Sequence, residues 1–319
     1  MRVLIFGSAK PDRMEACLQR AMARAGHVTR LLDDRRLART LGRAAAQRYV
    51  RFRARRFRAD VVIFGKGLGL ELDTVAELVR GRRSAVWYQD PPYFREPERP
   101  QVAHVIAVGR LVDTFFVTGF DREWRALGLN AKYLPSAGDR DLAPVPASPK
   151  FAADVTFIGS GYDEGRARFL AEVGRRYRLR VWGPGWDPWG TVVGWGGGPV
   201  YGRAFAAACS SSAIVLGILP AIAAGASNYT SDRPWLTMLA GGFYLGPRAP
   251  ALGRLLCDGV HCAWYDDAAD CLERIGHYLV CAHERERIRA AGERHVRAHH
   301  TYDQRVPHLL SGEAFVIHQ

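Results

Sequence analysis

Lysine is scarce in this chain. Only four of the 45 basic residues are lysines, at 10, 66, 132 and 150, and the rest are arginines. Against 32 acidic residues the net charge is +13, which favours anionic partners. A GC-rich coding sequence writes the same arginine bias with no partner at all. Long apolar runs are also missing. No uncharged stretch approaches the roughly 18–20 residues a membrane helix needs, so no membrane span is expected. The longest candidate, 213–226, is interrupted by Pro220 and by glycines. Cysteine is sparse and scattered, at 17, 209, 257, 262, 271 and 281, with no Cys-x-x-Cys pair. That excludes a disulfide framework and predicts free thiols in a cytoplasmic protein. His299-His300 has no partner at metal-ligand spacing, so it reads as a surface pair, and no metal is expected. The opening MRVLIFGSAK carries a short apolar run that closes on Gly-Ser. It reads as a first strand and its turn, not as a signal peptide.

What is present is an alternation of short β-branched runs with helical spacing. Strands are expected at 2–8, 28–32, 59–67, 84–90 and 129–134, with helices at 12–27 and 72–81. The stretch 104–119 holds a helix and a strand. Residues 135–153 are rich in Pro, Ala and Ser and read as a linker. The alternation then restarts, with strands at 154–162, 179–186, 213–219, 243–246 and 263–265. Helices are expected at 163–177, 203–211 and 233–242, and from 267 to 300 with a break near His283. This grammar predicts an α/β protein with two parallel sheets. Its domains are 1–150, 151–300 and a C-terminal helix over 301–319 that crosses back to the first. Two Rossmann-like halves joined by a hinge place a ligand cleft at the carboxyl ends of both sheets.

Three motifs lie in the second half. In 157-FIGSGYDEGRARFL-170 a strand enters a Gly-rich turn and a helix begins. The N–H groups of such a turn, the helix dipole and Arg166 suit a phosphate; an ordinary βα turn has the same residues. In 182-WGPGW-186 either Trp182 or Trp186 can stack on a nucleobase, or pack on a loop. In 231-SDRPWLTMLAGGFYLGP-247, Ser231 or Asp232 caps a short helix and Pro234 suits its first turn. Arg233 then stands at the positive end of the helix, where a cation is unfavourable unless an anion binds there. A diphosphate resolves that conflict; a solvated arginine leaves it in place. Gly241-Gly242 ends the helix.

On these residues the chain resembles the CgeB-like, spore-maturation type glycosyltransferases. The segments that carry the resemblance are the Arg233 to Phe243 pattern, 154–162 with Arg166, the glycine-tryptophan turn at 183–186, 259–279 and 288–310. Residues 60–66, 87–92 and 133–139 match more weakly. The resemblance implies a GT-B fold, two Rossmann-like domains facing each other across a cleft. It implies a nucleotide-sugar donor, UDP-, GDP- or TDP-linked, held mainly by the second domain, with no metal and no cofactor. Donor contacts would come from Gly159, Ser160, Gly161, Tyr162, Arg166, Gly183, Trp186, Ser231, Arg233 and Thr237. The relatives carry Glu three residues after the arginine, where it holds the ribose; here that position is Leu236, and Thr237 follows it.

In 86-VWYQDPPYF-94 a strand ends at Asp90 and Pro91-Pro92 makes a rigid turn. Asp90 is the candidate general base; as an alternative it caps the turn. Ser8, Lys66 and Gly67, at the ends of neighbouring strands, are candidates for the acceptor side, and His261 and Tyr265 are candidates to approach the sugar. Residues 35–58 hold ten arginines and no acid, interleaved with Tyr49, Phe52 and Phe57. As one basic helix they suit either solvent or a nucleic-acid backbone. Three functions follow: transfer of a sugar to a hydroxyl of a protein, glycan or small molecule; the same transfer to a hydroxymethylated base in DNA; and nucleotide-sugar binding without catalysis.

Overall fold

A computed structural model describes residues 1–90, 93, 99–223 and 228–317. It divides into two compact units, one of Met1–Ser136 with the segment from Tyr302 onward, the other of Ala137–Thr301.

The first unit is built on six parallel strands. They are β1 (Arg2–Phe6), β2 (Val28–Leu32), β3 (Val61–Phe64), β4 (Arg83–Tyr88), β5 (Thr114–Val117) and β6 (Ala131–Tyr133), in the order β2-β1-β3-β4-β5-β6. Valine, isoleucine and phenylalanine fill the central strands because both faces are covered, and Val3–Phe6 and Val61–Phe64 are wholly buried. Phe6 and Phe64 pair across β1 and β3 and their rings stack 5.3 Å apart. Burying each such side chain is worth about 1.5–3 kcal/mol. The flanking helices are α1 (Met14–Arg24), α2 (Asp34–Leu41), α3 (Arg43–Phe57), α4 (Leu72–Val79), α5 (Pro100–Gly109) and α6 (Asp121–Ala126). The basic segment expected as one helix is therefore two. Gly42, at φ 78°, separates them, and the Asp33 carboxylate caps α2 by accepting from the Arg36 N–H at 2.9 Å. The Pro91-Pro92 turn lies outside the described residues.

The second unit has its own parallel sheet. Its strands are β7 (Ala153–Ile158), β8 (Leu179–Trp182), β9 (Trp195–Gly197), β10 (Ser212–Leu216), β11 (Tyr244–Pro247) and β12 (Ala263–Tyr265), ordered β12-β11-β10-β7-β8-β9. Strand β9 was not expected, since Trp-Gly-Gly has no apolar period to announce it. Its helices are α7 (Glu164–Arg176), α8 (Gly202–Ser210), α9 (Arg233–Leu239), α10 (Pro250–Gly253), α11 (Ala268–Val280) and α12 (Ala282–His299). The unit begins at Ala137, ahead of the expected border at 150/151. Leu142 and Val145 pack on the cluster of Phe151, Trp182 and Ala206, and the Gly138 N–H reaches the His300 carbonyl at 3.0 Å. The expected surface pair is half wrong. His300 is buried and stacks on Trp235 with ring centroids 4.4 Å apart.

After Thr301 the chain rejoins the first unit through a 3-10 turn (Tyr302–Arg305) and α13 (Val306–Ser311). Tyr302 meets the edge of Trp87 at 5.7 Å, and Arg24 pairs with Asp303 at 2.8 Å. Arg305 is fully buried and donates to the carbonyls of Pro135 at 3.0 Å and Ser136 at 3.3 Å. Burial pulls its pKa down to about 10. Among the described residues no helix is long and apolar enough to cross a membrane.

Candidate functional site

In each sheet the strand order reverses once, between β1 and β3 in the first unit and between β7 and β10 in the second. Open α/β sheets bind ligands outside the carboxyl ends of their strands at such reversals.

At the second unit's reversal two arginines meet one ring. Arg233, the first residue of α9, turns back over the sheet. Its Nε donates to the Ile158 carbonyl at the end of β7 at 2.9 Å, and Nη1 to the Ile218 carbonyl beyond β10 at 3.4 Å. The guanidinium lies 4.9 Å from the Phe157 ring centroid, and that of Arg166 lies 5.4 Å from the same ring. Arg166 is only 8% exposed; Nη1 donates to the Ser160 carbonyl at 2.8 Å, and Nε has no partner among the described residues. Burial first, and the charge of Arg233 second, pull its pKa down to about 10. Neither guanidinium has a carboxylate in ion-pair contact among the described residues. Two cations held close over one ring, neither ion-paired, favour an anion between them. Asp163 supports the arrangement and offsets part of the Arg166 charge without an ion-pair contact. It caps α7 by accepting from the Arg166 N–H at 3.0 Å, and its other oxygen accepts from the Ala221 N–H at 3.2 Å. Burial would raise its pKa, but these N–H groups and the Arg166 charge prevail and lower it.

The glycines shape the floor. Gly161 donates to the Pro184 carbonyl at 2.9 Å and Gly159 to that of Trp182 at 2.9 Å, lacing the loops after β7 and β8 together. A β-carbon on Gly159 would stand 2.7 Å from Arg233 Nη2, and one on Gly183 would collide with the Gly159 carbonyl. Gly159, Ser160, Gly161, Arg166, Gly183 and Arg233 are thus gathered at one place. Ser231 is half-buried just ahead of α9.

Several of the expected contacts sit elsewhere than the expectation placed them. Trp186 is fully buried, donates from Nε1 to the Gly159 carbonyl at 2.8 Å and meets the edge of Phe157, so it props the loop and offers no face to a base. Trp182 is buried against Phe151 with centroids 4.9 Å apart. The exposed ring is Tyr162, 78% accessible and lying beside Gly185. Thr237 is wholly buried with Oγ1 unpartnered among the described residues, because the turn of α9 aims it at Gly242 and the core. Leu236, one residue earlier, is the half-exposed position. Tyr265 is held in the core by its bond to the Gly217 carbonyl at 2.8 Å, and His261 stacks on His295 at 4.0 Å.

In the first unit Lys66 and Asp90 are ion-paired, each about one-third exposed. Ser8 is half-buried, and the buried Gly67 accepts from His104 Nε2 at 2.8 Å. Sequence reasoning missed Phe157 and Asp163 in the second unit and Glu15 and Asp34 in the first. Glu15 lies over the ends of β1 and β3, where a β-carbon on either Gly7 or Gly65 would collide with its Oε1. Burial raises its pKa, and so does Asp34 beside it. A glutamate in the first turn after a Gly-Ser loop was the available signal.

Residues 166–311 match a family model described as glycosyl transferase-like. No curated protein sequence matches the chain. Three solved structures share its fold. HepE of Anabaena in complex with UDP-glucose is 13% identical with a TM-score of 0.67, over 98% of this chain and 100% of that one. Sucrose-phosphate synthase of Thermosynechococcus elongatus is 11% identical with a TM-score of 0.68, over 98% of each chain. An α-glucosyltransferase in complex with UDP and a 13-mer DNA containing a HMU base is 10% identical with a TM-score of 0.63, over 98% of this chain and 99% of that one. The chain therefore has the GT-B fold of glycosyltransferases, two Rossmann-like units each with a parallel sheet, and the glycosyl transferase-like match lies almost wholly in the second.

Proposed function

We propose that this chain is a metal-independent, CgeB-like glycosyltransferase that moves a sugar from a nucleoside-diphosphate sugar to an acceptor hydroxyl. The observation that carries the reading is the pair of guanidiniums on Phe157, neither of them in ion-pair contact with a carboxylate among the described residues. In the transfer, the acceptor oxygen bonds to the anomeric carbon while the bond from that carbon to the phosphate oxygen breaks. The diphosphate leaves with the electron pair, and Arg166 and Arg233 meet its growing charge. Charge-assisted hydrogen bonds of this kind are worth about 1.5–3 kcal/mol each. Tyr162 offers an exposed ring to the donor, and Ser160 and Ser231 add hydroxyls on the loops before α7 and α9. On the acceptor side Asp90, oriented by Lys66, takes the hydroxyl proton.

The test is a thermal-shift screen with UDP-, GDP-, TDP- and CDP-glucose, followed by nucleotide release with the best of them. A donor at about 100 times its Kd stabilises the protein by roughly 2.7 kcal/mol. No shift with any donor sinks the reading.

A second reading, transfer to a hydroxymethylated base in DNA, is favoured by the basic face of α2 and α3, where Arg35, Arg36, Arg39, Arg43, Arg48 and Arg56 are exposed. Arg51 and Arg55 are less available, since both pair with Glu77. This reading requires duplex binding whose affinity falls steeply with salt.

A further inference from the structure

The corner between α11 and α12 gathers a histidine, a cysteine and a glutamate. His277 lies in the last turn of α11, Cys281 caps both helices, and Glu284 lies in the first turn of α12. The chain leaves helical geometry at Cys281, with ψ at 60°, yet the three side chains converge. One donor atom from each lies within 4.8 Å of the other two, and no other such trio meets among the described residues. Glu284 Oε2 lies 2.8 Å from His277 Nε2. An ionised carboxylate only accepts, so Nε2 carries the proton of the neutral ring and Nδ1 keeps a lone pair. That lone pair faces Cys281 Sγ at 3.8 Å. Carboxylate, imidazole and thiol thus stand in the order by which an outer carboxylate orients a metal-binding histidine. A tetrahedral zinc ion, bonded at about 2.0–2.1 Å to nitrogen and 2.3 Å to sulfur, holds such a pair about 3.6 Å apart.

The surroundings suit a cation. In a chain with 45 basic residues, the ion pair that Glu284 makes among the described residues is with His277 and with no arginine. Arg285 is next in sequence, but it turns inward, its side chain 13% exposed, and donates to the Tyr278 carbonyl. His277 is exposed and Val280 beside it is 85% exposed, so an ion can enter from solvent. The remaining thiols lack this setting. Cys17, Cys209, Cys262 and Cys271 are buried, and beside the exposed Cys257 the Nδ1 of His261 is taken by the Cys257 N–H at 3.1 Å. We infer that the α11–α12 corner binds a zinc-class divalent ion, with Cys281 Sγ and His277 Nδ1 as ligands, Glu284 holding the imidazole, and water in the open positions. The ion replaces the thiol proton, so one proton leaves as one ion binds. Thiolate and imidazole select zinc over magnesium and calcium, which take oxygen ligands. The bound ion ties the end of α11 to the start of α12. No residue of the proposed donor site takes part, so this inference does not rest on the transfer reading and leaves metal-independent transfer untouched.

The experiment titrates the reduced, chelator-stripped full chain with ZnCl2 by calorimetry, in two buffers of different ionisation enthalpy, and with CoCl2 by absorption. One zinc ion per chain is expected, with a Kd of about 10 μM or below and release of one proton. Cobalt should give a thiolate-to-metal charge-transfer band, and MgCl2 and CaCl2 should not bind. Cys281→Ser and His277→Gln should each weaken zinc roughly ten-fold or more, and Cys281→Ser should abolish the cobalt band. Glu284→Ala should weaken zinc about ten-fold, and Glu284→Gln, which still accepts from Nε2–H, should recover part of that loss. Cys257→Ser, which removes the other exposed thiol, should change neither signal. Zinc binding no tighter than about 1 mM, zinc affinity unchanged in Cys281→Ser or in Glu284→Ala, or a cobalt band lost with Cys257→Ser instead overturns the inference.

Discussion

At the scale of single residues, charge held against its own interest marks the proposed donor site. Arg233 supports Arg166 only by sharing the Phe157 ring; electrostatically it opposes it. Replacing Arg233 with alanine is expected to weaken donor affinity by about 2–3 kcal/mol, thirty- to a hundred-fold in Kd. The folded protein loses much less in Tm without donor, because Arg166 is relieved of a like charge. Calorimetry beside thermal melting checks both parts. Glu15 shows the same conflict in the other sign. Its folded pKa lies above the ordinary 4.5, so the native state holds its proton more tightly than the unfolded chain does. Its favourable contribution is complete below pH 4.5 and is lost as pH rises through the folded value. Glu15→Gln, neutral at every pH, should therefore raise Tm at pH 7, with the advantage shrinking as pH falls toward 4.5. An equal gain at both ends would refute the account.

At the scale of elements, the βα alternation was legible because parallel strands are apolar on both faces and their helices keep a 3.6-residue stripe. The placement of Arg166 and Arg233 in the first turns of α7 and α9, each after a strand and a loop, was legible too. What could not be read was direction. Trp186 and Tyr162 both flank glycines, and only the lacing of the loops after β7 and β8 turns one inward and the other out. Thr237 and Leu236 are adjacent, and the register of α9 decides which faces the core. The break in the basic segment was missed because Gly42 is a single residue in an arginine-rich run, and its left-handed φ outweighs the helix propensity around it. The histidines between the loop at 257–262 and α12 give a pH prediction. Burial first, and His295 and His299 next, hold the His261 pKa down at about 4 against an ordinary 6.5. A depressed histidine contributes stability above pH 6.5 that disappears as pH falls toward 4. His261→Gln should flatten that acid limb in a melting series, by about 1–2 kcal/mol once solvent screening is allowed for.

At the scale of the whole molecule, the two units differ in how the chain makes them. The second is continuous, Ala137–Thr301, and contains every donor residue proposed above. The first is discontinuous, and the returning segment enters its core rather than decorating it. Tyr302 meets Trp87, Arg305 ties down the Pro135 and Ser136 carbonyls, and Arg83 and Lys132 donate to the carbonyls of Leu310 and Gly312 at 3.0 and 2.7 Å. Residues 1–136 alone would leave Trp87 partly uncovered and those backbone and side-chain groups without partners. Unsatisfied buried groups each cost about 1–3 kcal/mol, and a domain of this size has only about 5–15 kcal/mol in total. Residues 137–301 expressed alone should therefore fold and bind the donor with a Kd within several-fold of the full chain, while 1–136 alone should be largely unfolded by circular dichroism. Joining 302–317 to residue 136 through a flexible linker should restore a cooperative melt, because loop closure costs little beside the contacts regained. Arg305→Ala in that fusion should abolish the rescue, since it removes the donors to Pro135 and Ser136. A cooperative melt from 1–136 alone would show that the return segment is an accessory and not part of the core.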